Sequence, residues 1–161
     1  MRSLRSLDIA NTRIGGMLPS WIENLDRLVI IDVAHCRFHG PLTFNISRLR
    51  FLRDVVLSGN SFTGSLPQLL PPSLEVALFQ DNSFSGSIPR YYSSRLRLLD
   101  ISGNALVGRI PASIFGIPSL ELFAASLNCL QSELPDSICL ATNLRFLYLD
   151  GLDLGTKGYA D

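Results

Sequence analysis

Leu96-Arg97-Leu98-Leu99-Asp100-Ile101-Ser102-Gly103-Asn104-Ala105-Leu106-Val107-Gly108-Arg109-Ile110-Pro111 sets the organisation of the whole chain. Its apolar places are Leu96, Leu99, Ile101, Leu106 and Ile110, punctuated by Asn104, Gly108 and Pro111. One unit earlier the same places hold Leu74, Ala77, Phe79, Asn82, Phe84, Gly86, Ile88 and Pro89. Another unit back gives Leu52, Val55, Leu57, Asn60, Phe62, Gly64, Leu66 and Pro67. The second copy reads Leu28, Ile31, Val33, Cys36, Phe38, Gly40 and Leu42, with Thr43 where proline would stand. The first reads Leu4, Leu7, Ile9, Thr12, Ile14, Gly16, Leu18 and Pro19. Downstream, Leu120, Phe123, Ala125, Asn128, Leu130, Ser132, Leu134 and Pro135 form a sixth copy. Leu144, Leu147, Leu149, Leu152 and Leu154 begin a seventh. The leading leucines stand at 4, 28, 52, 74, 96, 120 and 144, so the period runs 24, 24, 22, 22, 24 and 24 residues. Self-similarity at such a period marks a solenoid, in which each unit buries its apolar side only against its neighbours.

Each repeated place has a physical task. The leucines at alternate positions point the same way from one short strand, so stacked copies lay parallel strands side by side over one core. Asn60, Asn82, Asn104 and Asn128 stand where the chain leaves the strand, and their amides can satisfy buried, irregular backbone. Thr12, Cys36 and Leu152 interrupt that ladder; Thr12 and Cys36 retain a donor and Leu152 does not. The Gly-x-Ile/Leu-Pro segment predicts an extended, turn-rich stretch, because helix is disfavoured before proline. Only six to eight residues then separate it from the next leading leucine, as in 112–118. That length predicts short 3₁₀ turns on the outer face.

With these motifs in place, the chain resembles the plant-type extracellular leucine-rich repeat family. This family occurs in receptor-like kinases, receptor-like proteins and polygalacturonase-inhibiting proteins. The resemblance rests on Phe62-Thr-Gly-Ser-Leu-Pro67, Phe84-Ser-Gly-Ser-Ile-Pro89, Leu106-Val-Gly-Arg-Ile-Pro111 and Leu99-Asp-Ile-Ser-Gly-Asn104, and it extends from about residue 4 to 154. It implies an α/β repeat fold: a right-handed, horseshoe-curved leucine-rich repeat solenoid over 1–155, with a parallel sheet on the concave face and short 3₁₀ turns on the convex face. Residues 156–161 are expected to form a tail. The resemblance also implies a non-catalytic module binding a protein or peptide ligand, with a co-receptor among the expected partners, outside the cell or at the plasma membrane surface. A secreted hydrolase inhibitor of the polygalacturonase-inhibitor type and an intracellular repeat scaffold stand as alternatives. Ectodomains of the family begin with a signal peptide and a cysteine-containing cap and close with a second cysteine pair. Met1 to Leu7 is no signal peptide, and neither cysteine feature is seen. The chain is therefore expected to be a fragment or a truncated or degenerate copy.

In such a solenoid the side chains between the core leucines face solvent on the concave side. One outward column reads Ser6, Ile30, Asp54, Val76, Leu98, Leu122 and Phe146. The other reads Asp8, Asp32, Val56, Leu78, Asp100, Ala124 and Tyr148. Val76, Leu98, Leu122 and Phe146 predict an apolar stripe across four strands, flanked by Val56, Leu78 and Tyr148, and an exposed stripe of that kind marks an interaction site. Val76, Leu78, Leu98, Leu122, Phe146 and Tyr148 are the ligand-binding candidates, with Phe146 and Tyr148 as aromatic anchors; the competing expectation is a stripe near the sheet's edge, partly covered by neighbouring loops. Asp8, Asp32 and Asp100 are expected to be structural or solubilising. Asn45-Ile-Ser47 is the one Asn-x-Ser/Thr sequon, and it places a glycosylation candidate, Asn45, on the convex side.

The remaining composition closes off other functions. Fourteen basic and fourteen acidic side chains cancel, with a pI near 6.7, so no field favours nucleic acid. The chain is 47% hydrophobic, yet no apolar run approaches a membrane span. His35 and His39 lie on strand and turn, with His35 expected beside Asp32 on the concave face, and they make no metal pair. Cys36, Cys129 and Cys139 suit neither a disulfide framework nor a zinc site, although one bridge between Cys129 and Cys139 stays open on spacing. No phosphate-binding loop is present. Neither an active site nor a cofactor is expected.

Overall fold

Each copy supplies a three-residue strand that turns its central residue inward and its two end residues outward, and the second core residue, such as Val33, Leu57 or Ile101, follows just past the strand's end. A computed structural model of the chain describes residues 3–91, 93–131 and 133–151. Strands Ser6–Asp8, Ile30–Asp32, Asp54–Val56, Val76–Leu78, Leu98–Asp100, Leu122–Ala124 and Phe146–Tyr148 pair in chain order in one parallel sheet. Their central residues align as Leu7, Ile31, Val55, Ala77, Leu99, Phe123 and Leu147. Ile31 through Phe123 in that row are at most 1% exposed, while Leu7 and Leu147 pack against the core from the two end coils. Full burial of such a side chain contributes about 1.5–3 kcal/mol, so the core row is the main source of cohesion between coils. The architecture is a leucine-rich repeat solenoid.

A second sheet lies where the sequence predicted only extended turns. Gly15–Gly16, Arg37–Pro41, Ser61–Ser65, Ser83–Ser87, Ala105–Gly108 and Cys129–Leu130 form six parallel strands, again in chain order. The inward residues Phe38, Phe62, Phe84, Leu106 and Leu130 are buried beneath it. Phe38, Phe62 and Phe84 stack with ring centroids 6.1 Å apart and planes 2° and 10° from parallel. The glycine of the Gly-x-Ile/Leu-Pro segment has φ of +78° to +84° at Gly40, Gly86 and Gly108, a left-handed bend that closes each strand. Proline then starts the outer turns from extended backbone at Pro19, Pro111 and Pro135. Three of these turns are 3₁₀, Ser20–Asn24, Ile46–Arg48 and Asp136–Leu140, but Ala112–Phe115 closes as a single α-turn.

The asparagine ladder ties coil to coil. The Asn104 amide donates to the carbonyls of Phe79, Ile101 and Ser102, and its oxygen accepts from Phe84 N. Asn60, Asn82 and Asn128 repeat the pattern. Where the ladder is interrupted, the Thr12 hydroxyl donates to Ile9 O at 2.9 Å and the Cys36 thiol to Ile9 O at 3.2 Å. Ser132, Leu152, Leu154 and the tail 156–161 lie outside the described residues. All three cysteines are free thiols, so the bridge left open between Cys129 and Cys139 is not formed.

Candidate functional site

The register of the seven-stranded sheet fixes what its outer face presents. Ser6, Ile30, Asp54, Val76, Leu98, Leu122 and Phe146 are cross-strand partners in one unbroken row. Asp8, Asp32, Val56, Leu78, Asp100, Ala124 and Tyr148 form the other. All six candidates stand on this face. They are not equally open: Val76, Leu78, Leu98 and Leu122 are half-buried, whereas Phe146 is 50% and Tyr148 49% exposed. Residues i and i+2 of one strand project from the same face, and the Phe146 and Tyr148 rings stack at 6.4 Å with planes 9° apart. The apolar row thus rises from a partly covered floor at Val76 to an exposed aromatic pair at Phe146.

The aspartates have a structural task. Each folds back over the turn that follows its strand: Asp8 Oδ1 accepts from Ala10 N, Asp32 Oδ1 from Ala34 N and Asp100 Oδ1 from Ser102 N. Such short-range bonds are the usual reason for aspartate at the mouth of a turn. The same turn carries left-handed backbone at Asn11, His35, Gly59, Asp81, Gly103, Leu127 and Gly151. His35 therefore belongs to the turn and not to the strand face where the sequence placed it. Among the described residues, no group of histidine, cysteine or acidic side chains is arranged to hold a metal ion.

Sequence reasoning missed a charged border along one side of the site. The residue after each leading leucine is Arg53, Glu75, Arg97, Glu121 and Arg145 in five successive coils. Arg53 Nη2 meets Glu75 Oε2 at 2.8 Å, and Arg97 Nε meets Glu121 Oε1 at 2.8 Å. The hydrogen bond from Arg53 holds the Glu75 carboxyl below its usual range, and that from Arg97 does the same for Glu121. Asp54, beside this border, moves the other way because burial disfavours its charge. The alternating sign was present in the sequence, but it becomes legible only once the coils are laid in register.

The sequence model of the family described as Leucine Rich Repeat matches residues 3–25 and 95–117, within the first and fifth copies. Receptor-like protein 54 of Arabidopsis thaliana is 41% identical over 68 residues, which cover 41% of this chain and 9% of that protein. Receptor-like protein 34 of the same plant is 34% identical over 74 residues, covering 46% of this chain and 8% of that protein. The chain thus spans less than a tenth of the length of either relative. Among solved structures, the plant peptide hormone receptor RGFR1 in complex with RGF2 superposes with a TM-score of 0.71 at 25% identity, over 94% of this chain and 29% of that one. The Arabidopsis receptor kinase HAESA, in complex with the peptide hormone IDA and the co-receptor SERK1, shares the fold with a TM-score of 0.86. That match has 24% identity and covers 94% of this chain and 26% of that chain. The chain is similar to plant leucine-rich repeat ectodomains.

Proposed function

From the premise that this chain carries leucine-rich repeats like those of plant receptor-like proteins, we propose that it is a non-catalytic recognition module for a peptide or protein segment. It belongs, on this reading, to a receptor-like kinase or receptor-like protein ectodomain outside the cell or at the plasma membrane surface. A co-receptor joins it there. The observation that carries the reading is the row Val76, Leu98, Leu122 and Phe146, held in register on four adjacent strands with Leu78 and Tyr148 beside it. An apolar segment laid across the strands buries against this row and stacks on the Phe146–Tyr148 pair, and exposed aromatics of this kind dominate binding energetics. The ion pairs Arg53–Glu75 and Arg97–Glu121 give the row a polar edge, the arrangement that interfaces use around an apolar centre.

The test is a binding screen of the chain against synthetic peptides that carry apolar and aromatic residues, repeated with Leu122→Ala/Phe146→Ala. Circular dichroism checks that the double variant remains folded. The reading expects peptides that bind the parent chain and lose at least about tenfold affinity to the double variant, the loss of roughly 1.4 kcal/mol. Unchanged binding sinks the site. Loss of folding in the double variant sinks the face assignment, and Tyr148→Ser, at a half-exposed position, then tests the aromatic anchor separately.

A further inference from the structure

We propose that the apolar row takes a proline-rich segment in the polyproline II conformation, with an acidic side chain at its Phe146 end. The proposal rests on the recognition reading above and names the class of ligand for that face. Spacing supports it first. Val76, Leu98, Leu122 and Phe146 stand in register on four adjacent strands. Neighbouring strands lie about 4.8 Å apart, so Leu98 and Phe146, two strands apart, are separated by about 9.6 Å. A polyproline II helix has three residues per turn at about 3.1 Å each, so residues i and i+3 recur on one edge about every 9.3 Å. An extended strand repeats a side chain on one face at about 6.6–6.8 Å, which falls between the first neighbour and the second. An α-helix, at about 5.4 Å per turn, gains about 0.6 Å on each strand and is out of step by about 1.8 Å across the row. Polyproline II keeps step with every second strand.

Hydrogen-bond chemistry supports it independently. Strands Leu98–Asp100 and Leu122–Ala124 pair on both sides, so their main chain is taken up within the sheet. The row therefore offers a ligand apolar side chains and no main-chain acceptor. An ordinary peptide laid across it buries N–H groups without partners, which costs free energy. Proline has no N–H to strand. Its ring packs flat against the exposed Phe146, and aromatic-lined surfaces are the usual docking sites for polyproline II.

Charge fixes the Phe146 end. Arg145 is exposed, precedes Phe146 and closes the charged border of the row. The carboxylate of the preceding coil, Glu121, already pairs with Arg97 at 2.8 Å. Among the described residues Arg145 forms no ion pair. It lines a cavity of about 290 Å³ with Arg97, Ser119, Glu121 and Asn143. Ser119 Oγ donates to Leu96 O and Asn143 Nδ2 to Pro118 O, so both are engaged by the chain's own backbone. The Arg145 guanidinium is left as the cation that meets a ligand. A carboxylate on the residue next to the proline over Phe146 reaches it and makes a charge-assisted hydrogen bond.

The test titrates the full chain with fluorescein-labelled synthetic peptides and reads anisotropy. The first peptide carries proline at every third place and a glutamate beside the last proline. The second has the same composition with its prolines at alternate places, and the third has lysine for the glutamate. The first is expected to bind at least about tenfold more tightly than the second. It is also expected to bind more tightly than the third, an order that Arg145→Glu reverses while circular dichroism shows the variant folded. Equal binding of the two proline arrangements, or binding of neither, overturns the proposal. An unchanged preference for glutamate over lysine in Arg145→Glu overturns it as well. The recognition reading is judged apart. Apolar peptides that bind the parent chain and not Leu122→Ala/Phe146→Ala keep that reading standing when the proline peptides fail, and the failure of every peptide removes both.

Discussion

Asn128→Ala is the substitution whose cost the structure fixes most closely. Asn128 is 6% exposed, and its amide donates to the carbonyls of Ile101, Ala125 and Ser126 at 3.0 to 3.2 Å. Its oxygen accepts from Leu106 N at 3.0 Å, a bond across the coil boundary. Alanine removes two donors and one acceptor and leaves Leu106 N–H without its partner in a buried place. At roughly 1 kcal/mol net for each bond, with an orphaned buried donor alone costing about 1–3 kcal/mol, the loss is about 3 kcal/mol. For a chain of this length that lowers the melting temperature by about 6–12 °C. Urea unfolding followed by far-ultraviolet circular dichroism reads the loss as a fall in midpoint. Asn143→Ala removes one exposed bond, to Pro118 O, and serves as the reference with a far smaller effect. A loss below about 1 kcal/mol for Asn128→Ala refutes the claim that the ladder satisfies buried backbone that water cannot reach.

Three further outcomes follow from named contacts. Gly103 has φ +60°, and a Cβ there would sit 2.5 Å from Asp81 Oδ1, so Gly103→Ala should destabilise by about 2 kcal/mol in the same urea assay. Leu127 occupies that same turn place with φ +53° and a side chain 64% exposed, so Leu127→Gly should leave stability unchanged or raise it by up to about 1 kcal/mol. The Glu121 carboxyl lies below its ordinary value of 4.5 because Arg97 hydrogen-bonds to it. A carboxyl depressed in the folded state adds stability that is complete above its unfolded value and is lost as pH falls through the folded one. Arg97→Gln should therefore flatten the fall in stability below pH 4.5 and raise the Glu121 midpoint seen by NMR, and 1 M salt should shrink the difference.

The fold was legible because its signal is redundant. The places filled by Leu52, Leu74, Leu96 and Leu120 have one task, and any single copy can depart from the pattern without hiding the period. The asparagine ladder was legible for a chemical reason, since a buried turn needs both donors and an acceptor at one point. The second sheet was not, because strands such as Ser61–Ser65 carry serine and glycine on the outside and a single buried Phe62, a pattern that reads locally as turn. His35 was placed on the wrong element because its left-handed backbone is set by the turn column it shares with Gly59 and Gly103. The outer columns of the concave sheet followed from period alone. Period alone did not decide how open they are: Leu98 and Leu122 are half-buried, as the competing expectation of a partly covered stripe had it, whereas Phe146 and Tyr148 are exposed.

Site-specific photo-crosslinking tests the central claim, that the seven-stranded sheet is the recognition surface, most directly. A benzophenone amino acid is placed in turn at Leu98, on the apolar row, and at Leu69, on the outer turns, and each folded chain is illuminated with the peptides recovered from the screen. The account predicts covalent capture from position 98, competed by unlabelled peptide, and none from position 69. Capture from position 69 with none from position 98 would contradict it and move recognition to the opposite side of the solenoid.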